Sequence, residues 1–395
     1  MERGDRPVPL PPGPLERHAD RAAAGSLLAA GALLTATGSA DLAGRVLLIG
    51  APKAARAGRE AFADTLTVGL SRCGLTVLDP AALRRLDRVG TVVVDSAVLH
   101  DDRPLVLSAT ATADHWTVEH VWSAAQRLLG GGTGLPLPLP PPRGRHRHQL
   151  SLREQADADG GAGLSWWVLV EHGLPVGQVL VGTELDPYAD AVLTASQTAG
   201  LRLVLTADPA APELAGRAEQ VLERDCSLVE QVRRLQAAGQ VVALVSAQEE
   251  ALAAADVGIG VVPATGRVPW AADVLCGPGL REVPVLLAAA PAARTVSVRG
   301  VTSATAATFL GALLTAVGGP GRTARAVLPV TAAAGASLLS GTLAARQVTG
   351  AEPPAPVLHT PWHALETDEV LARLPLQAAA QPPTAASGWV HAGSG

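Results

Sequence analysis

An α/β fold built on a mostly parallel sheet is the class this sequence predicts, on three observations. Short runs rich in Val and Leu recur through the chain, at Thr91–Val94, Leu201–Leu205, Gln240–Val245 and Val257–Val262. Segments with helical spacing of apolar residues separate them. The runs are apolar throughout rather than alternating, the pattern of strands covered on both faces. Composition permits a large core: 48% of the 395 residues are apolar but only 3% aromatic, so Ala, Leu and Val must carry the packing.

Taken in order, Lys53–Cys73 is expected as an amphipathic helix, Leu75–Leu78 as a short strand and Ala81–Arg88 as a turn or two of helix. Thr91–Val94 is a buried strand ending at Asp95. The rhythm resumes with a helix at Asp186–Ala199, the strand Leu201–Leu205 and helices at Glu213–Glu223 and Leu228–Ala238. Strand Gln240–Val245, helix Glu249–Ala255 and strand Val257–Val262 follow, and Ala271–Leu275 and Pro284–Ala293 complete the series. Residues 101–180 break this rhythm and are expected to form a small inserted α+β subdomain. Trp166–Glu171 and Gln178–Gly182 read there as hairpin strands around His172-Gly173, the two tryptophans packing rather than binding. The glycine run Gly130–Gly134, the prolines of Leu135–Pro142 and the basic run Arg143–His148 read as a long solvated loop; Gly130–Gly134 lacks the Lys-Ser/Thr of a phosphate loop.

Three uncharged runs, Ala22–Ala40, Gly300–Gly321 and Ala326–Ala345, each approach the ~20 residues a helix needs to cross a bilayer. They are rich in Ala, Gly, Thr and Ser, which suits closely packed membrane helices or, on the alternative reading, buried helices of a soluble domain. The last two would form a hairpin joined through Arg322–Arg325. Those arginines, and four in the first 21 residues, run against the positive-inside rule for a cytosolic middle region. The tail after Arg346 is Pro- and Ala-rich, with one helix expected at Glu366–Leu374.

Other classes are disfavoured. A net charge of -5 speaks against a general nucleic-acid binder, and Lys53 is the only lysine. The three cysteines, Cys73, Cys226 and Cys276, are expected as buried thiols of a reducing compartment, and no metal motif is visible. The Pro- and charge-rich start lacks the apolar core of a signal peptide.

The segment Gln240-Val-Val-Ala-Leu-Val-Ser-Ala-Gln-Glu-Glu-Ala-Leu-Ala-Ala-Ala-Asp-Val-Gly-Ile-Gly260 resembles the hinge region of P-type cation-transporting ATPases, where a strand runs through Gly-Asp-Gly-x-Asn-Asp into Ala-Leu-Ala-Ala-Ala-Asp-Val-Gly-Ile. Ala271-Ala-Asp-Val274 is similar to a further word of that family. The resemblance covers about 47–100 and 180–320. It implies a haloacid-dehalogenase-like (Rossmannoid) phosphorylation domain over 47–100 and 181–299, a nucleotide-binding-like insert over 101–180, and membrane helices in 1–46 and 300–345, leaving 346–395 as a tail.

The resemblance also assigns roles. Asp95 stands at the phospho-acceptor position, but Ser96, Ala97, Val98 and Leu99 replace the remainder of Asp-Lys-Thr-Gly-Thr. Thr206 and Asp208 match the phosphate-binding Thr-Gly-Asp word, with Ala207 departing from it. Residues 246–250 stand where the Mg²⁺-holding aspartates belong, with Glu249 and Glu250 placed by the shortened loop at a helix start. No lysine lies near Leu228, where the family carries one. Phosphoryl transfer is mostly positioning and charge neutralisation, so these losses imply a catalytically inactive regulatory or structural relative with no cofactor. Mg-ATP would be needed only if the chain is an active ATPase with divergent motifs; a soluble scaffold is the third reading. Thr360–Leu365 looks like the linker of large actinobacterial P-type ATPases that carry a degenerate half before an intact one. The implied partner is such an intact half or another membrane subunit, and the implied location is the cell membrane with a cytoplasmic central domain.

Overall fold

The computed structural model describes residues 6–129, 150–159, 164–208, 211–223, 226–263, 266–317 and 325–357. The readings at Gly130–Gly134, Leu135–Pro142, Arg143–His148, Thr360–Leu365 and Glu366–Leu374, and the hairpin connection at Arg322–Arg325 up to residue 324, lie outside them.

Helices α1 (Pro14–Thr37), α2 (Ala40–Gly50) and α3 (Lys53–Arg72) lead into the two-residue strand β1 (Thr76–Val77), the short α4 (Pro80–Leu83) and β2 (Thr91–Val94). Strand β3 (His100–Ala111), helix α5 (Val118–Leu129) and strands β4 (Leu150–Asp159), β5 (Ser165–Glu171) and β6 (Leu174–Leu185) follow. The chain continues through α6 (Ala189–Thr198), β7 (Arg202–Thr206), β8 (Gln220–Leu222), α7 (Leu228–Ala237), β9 (Val242–Ser246), α8 (Glu249–Ala254), β10 (Val257–Val262) and β11 (Val274–Pro278). It closes with the long α9 (Val283–Val317) and α10 (Leu328–Thr349).

The larger sheet has the order β1-β11-β10-β9-β2-β7-β8, all neighbours parallel except the β1–β11 pair. Strand alternation divides its side chains between two cores. Val92, Val94, Leu203, Leu205, Ala243 and Val245 face α3, α6, α9 and α10. Val93, Val204, Val242 and Leu244 face α7 and α8. Continuous Val/Leu runs are therefore required, since both pleat faces are dry.

The second sheet, β3-β6-β5-β4, is antiparallel and packs its inner face on α5 through Val106, Val121, Leu169 and Val179. The β5–β6 hairpin turns at His172 and Gly173, both at positive φ (49° and 87°), the two-residue turn that suits the twist of paired strands. Trp167 packs against this core and its indole Nε1 donates to Ser165 Oγ at 2.7 Å.

Four expectations need correction. Glu213–Glu223 is not an α-helix: a 3₁₀ turn at Pro212–Arg217 is followed by β8, because Ala-Gly-Arg interrupts the helical spacing and Val221 and Leu222 extend the parallel sheet beside β7. Ala271–Leu275 begins as a turn, and the strand runs on from Val274 to Pro278. Pro284–Ala293 and residues 300–317 of the second uncharged run belong to one helix of 35 residues with Pro291 inside it. Of the three thiols only Cys276 is buried; Cys73 and Cys226 are half-buried, and all three are free. Burial pushes the Cys276 thiol well above its usual range.

Small residues set the helical packing. A Cβ at Gly341 of α10 would lie 2.2 Å from Gly58 O of α3, and one at Gly300 of α9 2.9 Å from Ala55 Cα. These helices touch backbone to backbone, the use that small residues have in tight helix pairs. Only α10 is long and apolar enough, among the described residues, to cross a membrane by length and composition. α1, α9 and α10 also leave large apolar side chains outside: Leu28 is 77% exposed, Phe309 72% and Leu343 63%.

Gly341→Ala tests the close contact. The methyl gains up to about 1 kcal/mol of helix propensity but has no room against a backbone carbonyl. A net loss of about 1–3 kcal/mol in chemical denaturation is expected.

Candidate functional site

The site lies where β2, β7 and β9 end, the edge at which open α/β sheets collect their functional groups. Asp95 follows β2 directly and its amide donates to Val245 O at 2.9 Å, which holds the residue between two parallel strands. Its carboxylate caps the next turn: Oδ1 accepts from the Ala97 amide at 3.3 Å. The other oxygen, Oδ2, accepts from Ser246 Oγ at 2.7 Å and from Gln248 Nε2 at 2.9 Å. Ser246 is fully buried at the end of β9, and its hydroxyl also accepts from the Gln248 amide at 3.0 Å. Asp95 itself is 5% exposed. Among the described residues, every group donating to this carboxylate is neutral.

Thr206, at the end of β7, accepts from the Ser96 amide at 2.7 Å and donates its hydroxyl proton to Ser96 Oγ at 2.9 Å. Ser96 Oγ in turn donates to Ala207 O at 3.4 Å. A hydroxyl has one proton to give, so Thr206 has none left for an incoming oxyanion. Asp208 is turned to His100, its Oδ2 lying 2.6 Å from Nε2, while His100 Nδ1 lies 3.2 Å from Thr183 O. Both partners are largely buried. Burial pushes the His100 imidazolium down, but the hydrogen bond and charge of Asp208 outweigh it and the net shift is upward. The space under Ser96, Thr206 and Asp208 is only about 10 Å³, room for one water at most.

The structure thus brings Asp95, Thr206 and Asp208 to one sheet edge, each already engaged. Two partners were not singled out from the sequence, Gln248 and His100. The signal was available: Gln248 sits in the shortened loop, and His100 closes the Asp95–Asp101 run. Glu249 begins α8 as expected and accepts from the Trp270 amide at 3.3 Å, while Glu250 occupies the same first turn.

Mg²⁺ is the ion that the fold class implies here, and the residues present do not fit it. The cation takes hard oxygen donors, usually one or two carboxylates with waters in octahedral array. Around Asp95 the neighbouring groups are a hydroxyl and an amide N–H, both directed at the carboxylate as donors. No cluster of three or more His, Cys, Asp or Glu side chains occurs among the described residues.

The words carrying the strongest sequence similarity do scaffold work. Asp256 Oδ2 accepts from the Val242 amide and Asp273 Oδ2 from the Gly258 amide, at 2.9 and 2.8 Å, tying adjacent strands at their starts. Gly258 must lack a side chain because a Cβ would stand 2.9 Å from Leu252 O at the end of α8.

The sheet, its antiparallel insert and the long helices together define the class: the fold is that of P-type ATPases. A zinc-transporting PIB-type ATPase in its E2P state superposes with a TM-score of 0.62 at 18% identity, over 85% of this chain and 64% of that one. The same kind of protein in the E2.Pi state gives 0.56 at 17% identity, over 86% and 65%. No family model matches. Among curated proteins, "Probable cation-transporting ATPase I" of Mycobacterium tuberculosis is 37% identical over 378 residues, 92% of this chain. Its namesake in Mycobacterium leprae is 34% identical over 394 residues. The resemblance to P-type cation-transporting ATPases is thereby shown, although the chain spans only about a quarter of the length of these relatives (23% and 24%).

Two substitutions test the site's internal bonds. Ser246→Ala removes a buried donor to Asp95 and should destabilise the protein by about 1–3 kcal/mol in chemical denaturation. His100→Gln should lower stability most below pH 6.5, the imidazole's unperturbed value. Because the folded-state value is raised, the stabilisation is complete below the unfolded value and is lost as pH rises through the folded one. The gap between parent and variant should therefore close with rising pH in denaturation curves.

Proposed function

We propose that this chain is a P-type-ATPase-like module that no longer forms an aspartyl phosphate and that serves a membrane-bound cation transporter as a regulatory or structural part. In this reading 47–100 and 181–299 form the degenerate phosphorylation domain, facing the cytoplasm, and 101–180 its degenerate nucleotide-binding insert. An intact P-type ATPase half or another membrane subunit is its partner.

The observation that carries this reading is the state of the Asp95 carboxylate. A nucleophile for the γ-phosphoryl group needs a lone pair facing the substrate and cations to neutralise the phosphate oxygens. Asp95 is buried, and Oδ2 is held by Ser246 Oγ and Gln248 Nε2, neither of which carries charge. Removing one preorganised electrostatic element from an active site typically lowers the rate by ~10²–10³. Lysine, metal-holding carboxylates and the free threonine proton are together missing from the place where the family's chemistry occurs. Membrane placement is supported by α10 and by the exposed Leu28, Phe309 and Leu343.

Incubation with γ-labelled Mg-ATP followed by acid quenching is expected to leave no more label on the protein than on Asp95→Asn. Acid-stable label that disappears in Asp95→Asn would overturn the inactive reading. Expressed protein should leave the membrane fraction only with detergent; release by carbonate alone would overturn the membrane reading without touching the first.

A further inference from the structure

Positive charge collects at the edge of the large sheet opposite Asp95. A cavity of about 490 Å³ opens where the chain enters β2 and β9, with Arg17, Arg88, Arg202 and Arg294 on its walls against the carboxylate of Asp87. Arg88 is paired with Glu16. The other three meet only neutral oxygens among the described residues. Arg17 Nε donates to Gly13 O at 3.3 Å, Arg202 Nη2 to Gln220 Oε1 at 2.9 Å, and Arg294 Nη2 to Val89 O at 2.6 Å. Burial pushes the Asp87 carboxyl up, which weakens the one negative charge on the wall. Three guanidiniums without a counter-charge around one cavity stand out in a chain of net charge -5. The planar guanidinium fork suits phosphate oxygens.

Pro14 and Arg17 also line a second, larger groove of about 830 Å³ between α1, α2 and α9. Its walls are largely apolar, with Ala29, Ile49, Val301, Phe309 and Ala312 along them; His18 and Arg21 lie near Arg17 at the start of α1, and hydroxyls of Ser26, Thr302, Thr305 and Thr308 are the polar groups farther along. From Arg17 to Ala29 the helix rises roughly 18 Å. One leaflet of a bilayer is half of a ~30 Å hydrocarbon core, about 15 Å. The two cavities have Pro14 and Arg17 in common, so that together they offer a cationic end and a largely apolar groove over a leaflet's depth.

We propose that this site holds an anionic phospholipid, its phosphate among Arg17, Arg202 and Arg294 and an acyl chain in the groove between α1 and α9. A soluble phosphate would use the arginines and leave the groove empty; an apolar helix would fill the groove and leave three guanidiniums unmatched. A single anionic amphiphile satisfies both. The proposal rests on the membrane location proposed above and is independent of whether Asp95 reacts.

The test uses the full chain, stripped of lipid in neutral detergent and examined by native mass spectrometry after adding phosphatidylglycerol or phosphatidylcholine. Retention of phosphatidylglycerol under conditions that remove phosphatidylcholine is expected. Arg202→Gln with Arg294→Gln should weaken that retention about tenfold or more, since two charge-assisted hydrogen bonds are lost. Gly25→Leu should also weaken it, because Gly25 lines the groove and a Cβ there meets nothing within 4 Å, so the added side chain fills the acyl path without disturbing the fold. Equal retention of the two lipids, or retention unchanged in both variants, would overturn the proposal. So would displacement of the lipid by inorganic pyrophosphate with no effect of Gly25→Leu, which would assign the arginines to a soluble anion. Failure here with detergent still needed for extraction would leave the membrane reading intact.

Discussion

The pinning of three adjacent strands by buried carboxylates is the constraint on which the rest of this structure depends. Asp256 receives the Val242 amide and Asp273 the Gly258 amide, so β9, β10 and β11 start in fixed register. Asp273 O also accepts the amides of Leu78 and Asp79, which brings in the antiparallel edge. At the other end Asp95 ties β2 to β9 through Val245 O and Ser246 Oγ. A slip of one residue would exchange the side chains facing α3 and α9 with those facing α7 and α8. Register is thus specified twice, by apolar burial on both faces and by hydrogen bonds to ionisable groups at both edges. Arg6 extends the arrangement by donating to Asp256 Oδ1 and Gln240 O, which fastens the N-terminal segment beneath the sheet.

The same kind of bond occupies the polar residues at the other end of the sheet. In an open site a strand-end carboxylate facing solvent is free to attack or to bind a cation. Here Ser246 and Gln248 hold the carboxylate of Asp95, Ser96 engages Thr206 and His100 engages Asp208. Each bond satisfies a polar group at a largely buried strand end, which favours stability. Two of them also serve the backbone: without Asp95 and Thr206 the amides of Ala97 and Ser96 would be unsatisfied.

Much of this architecture was legible in the residues, and the misses have physical causes. Thr91–Val94 and Val257–Val262 are strands with the expected bounds, because buried parallel strands leave continuous β-branched runs. The hairpin at His172-Gly173 was legible because few residue pairs accept positive φ twice. Glu213–Glu223 was misread because a three-residue edge strand carries little periodicity, and its pairing with β7 is decided by tertiary contact. At the site, the position of Asp95 followed from a strand end, but its condition did not. Whether Gln248 reaches Asp95 depends on a loop's path across 153 positions of sequence, which no local pattern records.

The helices add a last constraint. α3, α9 and α10 meet at Gly58, Gly300, Gly341 and Ser337 with almost no side-chain volume between them. Interfaces of this kind transmit displacement rigidly, since close-packed backbones cannot absorb a shift by rotamer changes. α9 is continuous from the α/β domain, where Leu286 and Leu287 are buried under the sheet, to the exposed Phe309 and Leu310 near its far end. Arg294 and Ser297 fasten its middle to the turn before β2, through Val89 O and the buried Asp87. α9 therefore joins the outer helices to the sheet as one continuously packed element.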